Sequence, residues 1–151
     1  MAWPAHRLAA GAVLVLGIYL QVAEWIDLHP WNDVRDGNGQ ETLDIALAAA
    51  TGVLTGALWV SRRWAPLLAV AALSMWAWLQ AMTWWWPYLT GASPGWRQVY
   101  DGWFQGTLHV LPRDETHLPP DANHLTLHVL IVLALTASLA AAWRGFADRD
   151  P

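Results

Sequence analysis

The chain contains no cysteine and no lysine. The first absence excludes disulfides, thiolate metal centres and thiol-relay chemistry. The second leaves arginine as the only strong base, and the formal net charge of -4 argues against a nucleic-acid partner. Charge of either sign is scarce, at 13% of residues against 56% hydrophobic, which is the balance of a membrane protein rather than a soluble domain. Also missing are a nucleophile motif, a phosphate-cradling glycine loop and a dinucleotide fingerprint, so chemistry on a standard soluble enzyme fold is not expected. No small-x-small cleavage site follows the first apolar segment, which is therefore expected to remain as a helix rather than leave as a signal peptide.

What the chain has instead is long apolar runs. Leu8 to Ile26, Leu43 to Val60, Leu67 to Trp86 and Leu125 to Trp143 each approach the roughly 20 residues that cross about 30 Å of hydrocarbon. Their polar residues collect at the ends instead of forming a stripe. Arg7, the tight Ser61-Arg62-Arg63-Trp64 connection, Arg144 and Arg149 place both termini on the cytoplasmic side by the positive-inside rule. The two remaining connections, with most of the carboxylates and histidines, then lie outside.

Those two connections resemble each other. Trp31 to Ile45 and Trp96 to Val110 align without gaps and share Trp31/Trp96, Val34/Val99, Asp36/Asp101, Gly37/Gly102, Gln40/Gln105, Thr42/Thr107 and Leu43/Leu108. Each copy joins two apolar segments, so the repeating unit is a membrane hairpin. The sequence thus predicts an all-α membrane protein of four transmembrane helices. They form two tandem hairpins, residues 8–60 and 67–143, related by a pseudo-twofold axis, in a bacterial inner membrane. The second hairpin carries a proline-stiffened insertion at 111–123. Pro30 to Asp36 and the stretch after the Ser93 cap and Pro94 read as short interfacial helices, the second with Trp96, Val99, Tyr100 and Trp103 on one face and Gly102 matching the stop at Gly37. Ala48, Gly52 and Gly56 form a small-residue ridge for close helix packing, while Asp44, Ala48, Thr51 and Thr55 are expected to face the bundle.

Every segment carries polar groups toward its outer end. Gln21 and Glu24 share a helix face, as do Glu41 and Asp44, and His124 and His128, with Gln80 and Trp84 on the third segment. The leading expectation is a pocket between the hairpins that binds a small ligand, lipid or ion through Gln21, Glu24, Asp44, Gln80, Trp84 and His128. A second reading is a membrane-embedded enzyme whose divalent metal is held by Glu24, Asp44, His124 and His128, although the Glu-x-x-His pairing of di-iron bundles is absent. An inward histidine could also serve haem. A third reading is a structural subunit. Four helices are few for an independent transporter, so a homo-oligomer or a place in a larger membrane complex is expected beside the lipid bilayer itself.

Overall fold

The computed structural model describes residues 4–32, 41–61, 63–104 and 106–147, with backbone only for 41–44. Among the described residues the chain is all-helical, without a strand: α1 (Ala5–Trp25), α2 (Glu41–Trp59), α3 (Ala65–Thr90), α4 (Pro94–Trp103) and α5 (Ala122–Ala147). Helices α1, α3 and α5 are long and apolar enough to cross a membrane, and the described apolar part of α2, Ile45–Trp59, is shorter. Most of this apolar surface points outward. Ile18, Val53, Met75, Val129, Val132 and Leu133 are all more than half exposed, which an aqueous surface would not tolerate as contiguous patches and which points to a membrane protein.

The core is a seam of small and branched residues. On α1 the buried positions Ala9, Val13, Leu16 and Leu20 recur at intervals of four, three and four; on α5, Leu127, Ile131, Ala134, Ser138 and Ala141 recur likewise. That spacing is the signature of two helices packed side by side. Alanine and serine at the seam let the backbones approach, and the Ser138 hydroxyl donates to Ala134 O of its own helix at 2.7 Å, leaving no unmet polar group there. Helix α1 packs along both α2 and α5, and α5 along α3, whereas α2 and α3 touch only lightly. A twofold relation between the hairpins would give the α1–α5 seam a counterpart of similar extent between α2 and α3; the packing is lopsided instead.

The inward face of α2 is the one expected, but the close approach falls elsewhere than on the ridge. A Cβ added at Gly17 of α1 would lie 2.8 Å from Thr51 Oγ1, whereas Gly52 and Gly56 look onto open space. The hydroxyl of Thr51 cannot swing away cheaply, because it is bonded to Leu47 O and Ala48 O at 2.9 and 3.0 Å.

The connections differ from expectation in two places. Pro30 to Asn32 is a turn and not the start of a helix, and residues 33–36 lie outside the described set. The cause is Asn32, whose amide donates to Ala23 O and Ile26 O while its carbonyl accepts from Leu28 N, folding the chain back over the end of α1. In the second copy Ser93 caps Trp96 N and α4 follows, running through Gly102 to Trp103. Its faces split, however: Tyr100 is buried and Trp96 half-buried, while Val99 and Trp103 are exposed. The stripe Trp96, Tyr100 and Phe104 is the one that docks, against Trp84 of α3, so α4 sits on the bundle as a cap.

Gly17→Ala and Gly52→Ala both gain about 1 kcal/mol of helix propensity, yet only the first meets a wall. Thermal unfolding in detergent should show Gly52→Ala at or slightly above the parent. Gly17→Ala should fall below it, the overpacking cost of about 1–3 kcal/mol outweighing the gain.

Candidate functional site at the outer end of the bundle

The site begins with an irregularity in α3. Residues Ala81–Trp85 form a π turn between the α-helical stretches Ala65–Gln80 and Trp86–Thr90. At 100° per residue, Gln80 and Trp85 would point about 140° apart on a regular helix. The wider turn brings both onto the face toward α5, and both reach His128: Trp85 Nε1 donates to Nδ1 at 3.2 Å, and Nε2 lies 3.2 Å from Gln80 Oε1. Indole N–H can only donate, so Nδ1 must accept. His128 is therefore the neutral, Nε2-protonated tautomer, with both ring nitrogens occupied.

One turn earlier, His124 belongs to a different arrangement. Asp121, 1% exposed, caps α5: its Oδ1 accepts from His124 N at 2.9 Å and lies 2.8 Å from His124 Nδ1. Burial alone pushes the Asp121 carboxyl up, but the side-chain hydrogen bond and charge of His124, its backbone N–H and the Thr107 hydroxyl more than offset this and hold it below the ordinary carboxylate value. The carboxylate is thus an acceptor, His124 Nδ1 carries the proton, and Nε2 is directed away from Asp121. The ring lies 4.0 Å from Trp84, centroid to centroid, and meets Phe104 edge-on at 5.3 Å.

Trp84, 3% exposed, is the hub, with Trp96 at 5.4 Å and Phe104 at 5.0 Å. The proline-rich segment wraps the cap from outside. Tyr100, fully buried, donates to Pro119 O at 2.7 Å; Ala92 N donates to Thr116 O; Arg113 pairs with Asp101 at 3.7 Å and lies 5.5 Å from the Tyr100 ring. Burial, and less strongly its neighbour Asp121, push the Tyr100 phenol well above its ordinary range, although Arg113 opposes them. The His109 ring lies tilted against Tyr100 at 5.6 Å between centroids, and burial followed by Arg113 repulsion lowers its pKa from 6.5.

Of the residues singled out in the sequence, Gln80, Trp84, His124 and His128 come together. Gln21 is half-buried and accepts from Trp25 Nε1 on its own helix at 3.2 Å, and Glu24 is exposed on α1. The side chains of Glu41 and Asp44 lie outside the described residues. Among the described residues no three histidine or carboxylate side chains gather as a metal site requires. The gathered residues belong to the second hairpin and its cap; the first hairpin reaches them through Tyr19, which donates to Asn123 Oδ1 at 2.7 Å and accepts from Trp31 Nε1 at 3.0 Å. Asp121 could have been found from Asp-x-x-His before an apolar run, a helix-start pattern. Trp85 carried no such signal inside a run of three tryptophans.

Replacing Asp121 by Ala should cost about 2 kcal/mol or more in thermal or denaturant unfolding, through the lost cap and the unmet donors it leaves, whereas Asn, which keeps an acceptor, should cost less. His109 binds its proton less readily folded than unfolded, so its contribution is complete above pH 6.5 and fades as pH falls toward the lowered folded value. Melting temperatures at pH 8 and pH 5.5 should therefore separate more in the parent than in His109→Gln. Compared with protein-family models, curated proteins and solved structures, the chain matches none of them.

Proposed function

We propose that this is a four-span protein of a bacterial inner membrane, with α1–α2 and α3–α5 as tandem hairpins and both ends cytoplasmic. It binds a small ligand, lipid or ion beneath its outer aromatic cap. One observation carries the binding reading. Of the four buried side-chain polar atoms without a hydrogen-bond partner among the described residues, three belong to the cap: Trp96 Nε1, Arg97 Nε and His109 Nε2. Each unmet buried polar group costs about 1–3 kcal/mol, and a chain that satisfies Asp121, His128 and Ser138 so fully has reason to leave such capacity only where something else supplies the partner. Two of the three can only donate, so the ligand presents acceptor oxygens. The exposed stripe at Gly52 and Gly56 supports contact with a second copy or a partner subunit.

A metal-dependent reaction is the second reading, favoured by the Asp121–His124 pair, since a carboxylate holding one imidazole nitrogen orients the other toward a metal. Native mass spectrometry and elemental analysis of gently solubilised protein separate the two. A small molecule retained by the parent, with occupancy reduced roughly tenfold by Trp96→Phe, supports binding under the cap. A stoichiometric metal lost in His124→Ala supports the second reading. Protein free of both, and found only with other subunits, would leave the structural role.

A further inference from the structure

The opposite end of the bundle holds a cavity of about 740 Å³, in the size range of sites for small molecules. It is bordered by the start of α1, by Ser61 and Arg63 between α2 and α3, and by the last turns of α5. Its polar lining is His6, Ser61, Arg63 and Arg144, and Leu58 and Leu67 are among its apolar walls. Among the described residues no acidic side chain lines it. The ion pairs among the described residues, Arg113 with Asp101, His117 with Asp114 and His124 with Asp121, all lie at the other end, so no described carboxylate neutralises Arg63 or Arg144. Arg7, nearby, is engaged with the ring of Trp59 at 5.5 Å.

Two further features match the same ligand chemistry. Helices α1 and α3 both begin at this cavity, and neither has a side-chain cap or an acidic residue in its first turn, so their partial positive ends add to the arginines. Trp59, Trp64 and Trp143, at 50%, 53% and 75% exposure, ring this end of the helices. Tryptophans so placed mark the level of lipid headgroups. The cavity thus combines a basic mouth, apolar walls and headgroup depth.

We infer that the cavity binds a phosphate group carried by an anionic phospholipid, the guanidinium groups of Arg63 and Arg144 clamping the phosphate while Leu58 and Leu67 meet the glycerol and upper acyl chain. This does not depend on the outer site. Free phosphate offers the same oxygens, and the test has an arm for each source.

In nanodiscs of equal phosphatidylglycerol and phosphatidylcholine, lipids retained by the full chain are counted by native mass spectrometry. The parent should prefer phosphatidylglycerol roughly tenfold, and Arg63→Gln/Arg144→Gln should lose that preference. In the second arm, delipidated protein in detergent is melted with and without inorganic phosphate. A rise in Tm for the parent and none for the variant, without lipid preference in the first arm, assigns the cavity to free phosphate and overturns the lipid assignment. Equal behaviour of parent and variant in both arms overturns the site altogether. Circular dichroism verifies that the variant is folded; should the pair fail to fold, Arg144→Gln alone, on the exposed last turns of α5, is read in the same way.

Discussion

A carboxylate with almost no access to water, that of Asp121, is the constraint on which the capped half of the molecule depends. An ionised group in such a place persists only if donors surround it. Here the donors come from different levels of structure: the backbone of the first turn of α5 and the imidazole of His124. Satisfying one charge therefore fixes the start of α5 and orients a histidine ring, and next to it Ala122 N, donating to Leu108 O at 2.8 Å, ties down the loop above. The oriented ring is what Trp84 packs against, and Trp84 is what α4 docks on. The cap is in this sense an extension of a helix cap.

The π turn in α3 solves a neighbouring difficulty. His128 lies a turn deeper, where an unpaired imidazole nitrogen has no water to fall back on. A regular helix could present either Gln80 or Trp85 to it, not both. One widened turn supplies a donor to one nitrogen and an acceptor to the other, and it also keeps Trp84 directed at His124. Such turns often accompany functional sites, and here the local reason is visible in the two partners of one ring.

Much of the architecture was legible because it rests on strong local signals. The long apolar runs became helices near the expected limits, Ser93 and Pro94 opened α4, and the spacing of His124 and His128 puts both on the face of α5 that meets Trp84 and Gln80. What sequence did not reveal depends on three-dimensional placement. Helical periodicity cannot announce a change of period, so Trp85 was hidden. Val99 and Tyr100 are both apolar-compatible, and only the position of Trp84 decides which is buried. The ridge on α2 looked like the point of closest approach, yet it is Gly17 of α1 that receives Thr51. The turn at Pro30 to Asn32 was read as a helix because proline suits a first turn, whereas Asn32 uses its side chain to fold the chain back.

Leu108 joins the connections that follow α1 and α4 through its backbone alone: its N–H donates to Pro30 O at 2.6 Å and its carbonyl accepts from Ala122 N at 2.8 Å. Together with Tyr19 and Asn123, 104 residues apart, it makes the first hairpin depend on α5. During synthesis α1 and α2 can pair before α5 exists, but the seam of α1 that awaits α5, and the hydroxyl of Tyr19 above it, stay uncovered until α5 has been made. Helix α1 is thus made long before it can be fully enclosed, and the emergence of α5 is the step that commits these helices to their native packing.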